Sequence, residues 1–166
     1  PASTEPELVV LNRGSKDLSV VQTIDDDVFG LAKSSQVYPV DGVVSSMSVI
    51  DYNDDGRPDV LITNPLTEEI GIYLSGSDGN LVLNETLSAP PNTIHIATDD
   101  YDGDGDIDIA YSSLESFAPT IRSHNGTNTT LPPGKLKGMV WSKSSDLDLD
   151  PLGTKDIVSF GYDCTI

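Results

Sequence analysis

Residues 100–110 read Asp-Tyr-Asp-Gly-Asp-Gly-Asp-Ile-Asp-Ile-Ala, so acidic side chains stand at alternate positions of a short stretch. With residue 100 as position one, the carboxylates at positions one, three, five and nine are those of Asp100, Asp102, Asp104 and Asp108. Asp106, at position seven, can add its backbone carbonyl. Alternate residues of a tight loop turn their oxygens toward one point, and Ca²⁺ takes roughly six to eight oxygen ligands. Gly105, at position six, permits the sharp turn that such a loop needs. The stretch therefore predicts a calcium loop.

A second loop of the same design lies in residues 51–61, which read Asp-Tyr-Asn-Asp-Asp-Gly-Arg-Pro-Asp-Val-Leu. Its predicted ligands are the side chains of Asp51, Asn53, Asp55 and Asp59 and the carbonyl of Arg57. We call residues 51–59 loop 1 and residues 100–108 loop 2. Loop 2 has four carboxylates, whereas loop 1 has three and a nearby arginine. Loop 2 is therefore expected to bind Ca²⁺ more tightly.

Short β-branched runs flank both loops, at residues 48–50 and 60–62 around loop 1 and at residues 94–96 and 107–111 around loop 2. Such runs favour strands. A helix-loop-helix calcium site needs a bidentate Glu at position twelve, but that position holds Ile62 in loop 1 and Tyr111 in loop 2. Each loop is therefore predicted to join two strands.

The loop pattern recurs four times, in repeats that start near residues 9, 51, 100 and 148. Each repeat has glycine at position six and aspartate at position nine. In chain order, the position-nine aspartates are Asp17, Asp59, Asp108 and Asp156. These aspartates are 42, 49 and 48 residues apart. Self-similarity at this period is typical of propeller blades of four strands each.

Both loop sequences resemble the calcium loops of VCBS/FG-GAP repeats, the blades of integrin-α-like β-propellers. The resemblance implies an all-β fold of four-stranded antiparallel blades, with residues 1–166 forming a single β-propeller segment. No Gly-Ala-Pro follows the second strand, so the VCBS-like form fits better than the integrin form. Because the family includes adhesion receptors, lectins and accessory domains of secreted enzymes, the resemblance specifies fold and calcium rather than function.

The first and last repeats depart from the loop pattern. In the first repeat, Val9, Leu11 and Arg13 stand at ligand positions, so no calcium is expected there and Asp17 is expected to accept backbone hydrogen bonds from the turn. The last repeat retains the side chains of Asp148, Asp150 and Asp156 and the carbonyl of Thr154. Leu152 occupies its position five, so the pattern fits either a weakened third calcium site or an acidic turn without an ion.

The chain is expected to hold about fourteen strands, or about three and a half blades, because it stops after the second strand of the last repeat. An unclosed arc of blades leaves apolar faces uncovered at its ends. The segment is therefore expected to form part of a larger propeller, or to close against another copy or a partner protein.

The composition is strongly acidic, with 9 Lys plus Arg against 27 Asp plus Glu and a net charge of −18. Of the acids, 21 are Asp, a residue that favours turns and cation loops. Two bound Ca²⁺ would reduce the charge only from −18 to −14. Such a surface repels phosphate, so nucleic acid is not an expected partner. No run of roughly 18 apolar residues predicts a membrane span.

The remaining motifs bear on function. Neither His95 nor His124 has a nucleophile or zinc-ligand partner at suitable spacing, so a non-catalytic module is predicted. Sequons for N-glycosylation begin at Asn84, Asn125 and Asn128. Together with the calcium loops they favour an extracellular or lumenal setting.

The predicted role is a calcium-binding extracellular module for adhesion, assembly or protein recognition. One alternative is a lectin that binds a glycan by stacking a sugar on Trp141, Tyr38 or Tyr73. Another is an accessory piece of a larger secreted enzyme.

Overall fold

The computed structural model of the chain describes residues 7–23, 32–115, 119–130, 137–141 and 159–162. These residues form thirteen strands in antiparallel sheets and contain no helix. The first sheet holds β1 (Glu7–Asn12), β2 (Asp17–Thr23) and β3 (Ala32–Pro39). The second sheet holds β4 (Ser46–Ile50), β5 (Asp59–Asn64), β6 (Glu69–Ser75) and β7 (Leu81–Ser88). The third holds β8 (Thr93–Asp99), β9 (Asp108–Ser113), β10 (Thr120–Arg122) and β11 (Asn128–Thr130). β12 (Lys137–Trp141) pairs with β13 (Ser159–Tyr162).

The sheets follow the predicted repeats, and the all-β prediction is confirmed. The second and third sheets are complete four-stranded meanders, the arrangement of a propeller blade. Residues 24–31 lie outside the described residues, and β3 begins at Ala32. The expected third loop, with Asp148, Asp150, Thr154 and Asp156, also lies outside them.

β5 is buried along its whole length because sheets cover both of its faces. Leu61 belongs to a core that the second and third sheets share, together with Ile96 and Ile109. Val60 and Ile62 point to the opposite face, as neighbours in a strand do, and belong to a core shared with the first sheet. The sheets therefore stack face to face, with β5 at the centre of the stack.

The first strands of the second and third sheets lie side by side, as they do around the centre of a propeller. β8 contacts β4 and also contacts β12. The Ser48 and Thr98 hydroxyls are 2.7 Å apart, which links β4 to β8. Ser45, just before β4, donates to the Thr93 carbonyl at 3.2 Å. Polar contacts thus join the inner strands, while apolar contacts join the sheet faces.

The first sheet packs on the second in a different way. Val60 and Ile109 both follow the position-nine aspartate, and each belongs to the core shared with the preceding sheet. Leu18 follows Asp17 in the same manner, yet it belongs to the core shared with the second, following sheet. The first sheet is therefore not a simple rotational copy of the other two.

The β1–β2 connection is also shorter than the loops of the next two sheets. Asn12 pairs with Asp17, which leaves a turn of residues 13–16, whereas Ile50 pairs with Asp59 across residues 51–58. Val9 and Leu11 are consequently strand residues whose side chains pack against the core between the first and second sheets. Asp17 accepts a hydrogen bond from the Asn12 side-chain amide at 2.7 Å, rather than the backbone hydrogen bonds expected from the sequence. Hydrogen bonds from the Ser15 and Asn12 side chains lower the pKa of Asp17.

Candidate metal centre

Both loops turn where the sequence places glycine at position six. Gly56 has a φ of 81° and Gly105 a φ of 95°, in the left-handed region that side-chain-bearing residues resist. Loop 2 leads from β8 into β9 and loop 1 leads from β4 into β5. The prediction that each loop joins two strands is thus confirmed, and it places both loops at corresponding corners of neighbouring sheets.

Three predicted ligands of loop 2 converge on one point. Asp100, Asp102 and Asp108 each offer a carboxylate oxygen, and these three oxygens lie within 4.8 Å of one another. Calcium–oxygen bonds are about 2.3–2.6 Å long, so two ligands of one ion lie at most about 5 Å apart. The three carboxylates therefore fit a single hard cation such as Ca²⁺, with room for further oxygens from the loop or from water.

The Asp104 carboxylate is not one of the three converging groups. The predicted contribution of Asp106 is its backbone carbonyl, which stays a prediction. Asp104 accepts the Asp106 backbone N–H at 2.9 Å. Asp102, Asp104 and Asp106 are exposed, Asp100 is half-buried and Asp108 is buried. A cation could therefore reach the converging oxygens from solvent, with Asp108 at the closed end of the loop.

Backbone amides of loop 2 hold the converging carboxylates in place. The two oxygens of Asp100 accept the N–H groups of Gly103 at 2.8 Å and Gly105 at 3.2 Å. An oxygen of Asp102 accepts the Asp104 N–H at 3.2 Å. Because a carboxylate has about four lone-pair sites, these bonds leave capacity for a cation. The loop thus orients its ligands with its own backbone.

The local electrostatics favour a cation. Desolvation raises the pKa of Asp102, and the neighbouring carboxylates of Asp108, Asp104 and Asp100 raise it further. Burial likewise raises the pKa of the Tyr101 phenol, with Asp99 and Asp108 adding to the effect. Desolvation is the largest cause of both shifts, and the smaller coulombic contributions come from negative charge that a divalent cation would offset.

The position-nine aspartates tie each loop to the third strand of its own sheet. Asp108, only 1% exposed, accepts the Tyr101 N–H and the His124 N–H, both at 3.0 Å. Asp59, 0% exposed, accepts the Tyr52 N–H at 3.0 Å and the Ser75 N–H at 2.8 Å. We call each set of two hydrogen bonds the aspartate clamp.

Sequence reasoning missed Ser75 and His124 because both act through a backbone N–H, which almost any residue supplies. Ser75 ends β6 and His124 follows β10, so the two occupy equivalent places in their sheets. Each lies 16 residues after its aspartate. That equal separation is the only sequence signal that could have identified them.

Loop 1 contains a positively charged side chain, that of Arg57. The Arg57 guanidinium pairs with the Asp55 carboxylate, and its Nε donates to the Ser75 carbonyl at 2.8 Å. Asp51 accepts the N–H groups of Asp55 at 3.0 Å and Gly56 at 2.7 Å. Within the described part of the chain, the acids of loop 1 form no converging group like that of loop 2. Its position three is Asn53, which is not an acid.

An aromatic contact joins loop 1 to the residue that follows β10 in the third sheet. The Tyr52 ring of loop 1 lies 6.0 Å from the His124 ring, at an angle of 43°. Tyr52 donates its N–H to Asp59, and His124 donates its N–H to Asp108. The aspartate clamps of neighbouring sheets therefore meet at this pair of rings.

The aromatic residues considered for stacking a sugar are engaged elsewhere, as far as the structure describes them. Tyr38 and Tyr73 pack against the core between the first and second sheets. The Tyr38 hydroxyl has one proton to donate, and both the Gln36 side-chain oxygen and the Gly79 carbonyl lie within hydrogen-bond distance of it. Burial raises the pKa of Tyr73. Trp141 lies in β12, and its side chain is outside the described residues.

His95 lies in β8, and it is half-buried. Burial lowers its pKa, which favours the neutral imidazole. No helix among the residues that the structure describes is long and apolar enough to cross a membrane.

Comparison with known proteins identifies the part of the chain that carries the two loops. Residues 51–111 match the family model of the FG-GAP-like repeat. No curated protein and no solved structure matches the chain. The match begins at the first residue of loop 1 and ends in β9, just after loop 2. The resemblance seen in the loop sequences is thus confirmed for residues 51–111, the part of the chain that matches the FG-GAP-like repeat.

Proposed function

We propose that the chain is a non-catalytic, calcium-stabilised extracellular module that acts in adhesion, assembly or protein recognition. The observation that supports it most directly is the convergence of the Asp100, Asp102 and Asp108 carboxylates in a loop between two strands. Oxygen-only ligands from acidic side chains are those that Ca²⁺ prefers.

The role of calcium in this proposal is structural. A bound ion would neutralise the repulsion among the loop 2 carboxylates and fix the corner between β8 and β9. Asp108 would then serve two purposes, because its buried carboxylate also accepts the His124 N–H next to β10. Ion binding would in this way stabilise three strands of the third sheet at once.

An extracellular setting agrees with the exposed motifs. Solvent-exposed calcium loops suit the high calcium levels outside cells. Asn84, Asn125 and Asn128, the first residues of the three sequons, are all exposed. We therefore propose that the protein is secreted and glycosylated.

A protein partner is proposed for the outer face of the first sheet. Leu8 and Val37 are 56% and 59% exposed. The strand register places them on the face opposite the core, together with Val10 and Val21. An exposed apolar face of this kind marks an interaction surface. Another blade, from a second copy or from a partner, would cover it as the second sheet covers the inner face.

Calcium titration by isothermal calorimetry tests the proposal with two matched variants. Asp102→Asn removes the negative charge of a converging ligand, whereas Asp106→Asn removes the same charge from a side chain outside the converging group. We expect Asp102→Asn to weaken binding at least tenfold, about 1.4 kcal/mol, and Asp106→Asn to weaken it much less. Equal losses of calcium affinity in the two variants would show that only the net charge matters. Absence of calcium binding by the parent would reject the proposal.

A further inference from the structure

The outermost strand of the second sheet combines an acceptor sequon with exposed apolar side chains. β7 pairs with β6 and is the last strand of the sheet order, so no strand among the described residues pairs with its other edge in that sheet. Val82 and Leu83 on this strand are 63% and 49% exposed. An exposed apolar edge strand is a template for pairing with another chain. Lysine and proline on an edge strand prevent such pairing, but residues 81–88 contain neither.

Asn84 interrupts the regular pairing of β7. Ile72 pairs with Glu85 and Tyr73 pairs with Leu83, so Asn84 is an extra residue at a β-bulge. A bulge leaves its extra residue outside the ladder and re-aims its side chain. Both Asn84 and Thr86, the two recognition residues of the sequon, are exposed. The acceptor amide therefore stands clear of the ladder, directly beside the apolar residues.

We propose that Asn84 carries an N-linked glycan that covers the apolar edge of β7 and prevents self-association there. In the modification, the Asn84 Nδ2 forms a bond to the anomeric carbon of an oligosaccharide donor. The bond from that carbon to a lipid-diphosphate leaving group breaks, and the amide gives up one proton. A glycan is bulky and hydrated, so it would block the approach of a second strand to Val82 and Leu83.

The other two sequons lack this combination of features. Asn125 turns its side-chain oxygen to the Thr127 N–H at 2.9 Å, inside the β10–β11 turn. The Thr130 hydroxyl of the Asn128 sequon lies 3.4 Å from that of Thr120. The large exposed apolar side chains of the described residues include none in the β10–β11 hairpin. The shielding role therefore belongs to Asn84.

The first experiment determines whether Asn84 is modified. The full chain is exported through the secretory pathway of a eukaryotic host, and a peptide-N-glycosidase then converts each occupied Asn to Asp. Peptide mass spectrometry should locate this conversion at residue 84. Thr86→Ala, which keeps Asn84 but breaks its sequon, should abolish it. Thr129→Ala, an exposed change on the outermost strand of the third sheet that keeps both neighbouring sequons, should leave it unchanged. An unmodified Asn84 in the secreted parent overturns the proposal.

The second experiment measures the shielding. Light scattering at increasing concentration should show more association after enzymatic removal of the glycan from the folded protein, which avoids any folding defect of a variant. Val82→Lys should suppress the added association, because a charge on an edge strand has the same protective effect. Equal association before and after glycan removal overturns the shielding role.

The inference depends on the extracellular setting of the proposed function, but the two can fail separately. Calcium titration on the same secreted sample distinguishes them. Calcium binding with an unmodified Asn84 rejects the glycan alone, whereas a modified Asn84 without calcium binding rejects the calcium proposal alone.

Discussion

Arg57 and Asp106 occupy the same position, the seventh, of their two loops. Asp106 adds a negative charge to loop 2, whereas Arg57 places a guanidinium against Asp55 and anchors it on the Ser75 carbonyl. A fixed positive charge beside an acidic loop acts as a counterion, and it also repels a divalent cation. The arginine should therefore stabilise loop 1 without metal while lowering its affinity for calcium.

Substitution of Arg57 should shift these two properties in opposite directions. In a background of Asp102→Asn, where loop 2 is weakened, we expect Arg57→Gln to raise the calcium affinity of loop 1 by about fivefold. The same change should lower the melting temperature in the presence of a chelator. Calorimetry and thermal unfolding measure the two effects.

The control is Lys16→Gln, which removes one positive charge from the β1–β2 turn. It should change neither property of loop 1 appreciably. A lower calcium affinity in Arg57→Gln would contradict the assigned role and would indicate that the arginine merely maintains the loop.

Among the structural elements, the aspartate clamp has the largest expected effect on stability. Each clamp lets one buried carboxylate satisfy two backbone N–H groups, one in the loop and one at the end of the third strand. Hydrogen bonds to charged groups contribute about 1.5–3 kcal/mol, and loss of an acceptor leaves a buried donor unsatisfied. The clamp should therefore matter whether or not a metal is bound.

Asp59→Asn tests the clamp of the second sheet. The amide keeps the shape of the side chain but replaces one acceptor oxygen with a donor. We expect the free energy of unfolding, measured by chemical denaturation with a chelator present, to fall by about 2 kcal/mol. Asp54→Asn, an exposed change in the same loop, should cost less than about 0.5 kcal/mol. Equal effects of the two variants would show that the clamp adds no stability.

The strands around both loops could be predicted because aspartates at fixed spacing and short β-branched runs encode them locally. The glycines at position six were predictable for the same reason. The partners of Asp59 and Asp108 were not, since a backbone N–H leaves no mark in the sequence. The pairing of Arg57 with Asp55 was not predicted either, because a long flexible side chain can reach several acidic neighbours. In the first repeat, the loop pattern places Val9 and Leu11 in a loop. Their alternating apolar side chains form a strand instead, so β1 continues to Asn12.

For the whole molecule, the stacking of the sheets leaves one face without a cover within the described residues. The inner face of the first sheet packs on the second sheet, whereas the outer face presents Leu8 and Val37. These residues share a face with the half-buried Val10 and Val21. Apolar surface of this kind gains stability when another sheet covers it.

We expect the chain to self-associate through this face when no other blade is supplied. Light scattering should show a concentration-dependent increase in mass for the parent and a monomer for the double variant Leu8→Lys/Val37→Lys. Leu66→Lys, a change at an exposed apolar residue of the β5–β6 turn, serves as the control. A parent that stays monomeric at all concentrations would contradict this expectation.

The most direct measurement is a crystal structure grown with ample calcium, with anomalous diffraction data collected at a wavelength where calcium scatters. We expect an anomalous peak in loop 2, with oxygens of Asp100, Asp102 and Asp108 at about 2.3–2.6 Å from it. A well-ordered loop that holds only water among these carboxylates, with no anomalous peak, would show that loop 2 is not a calcium site.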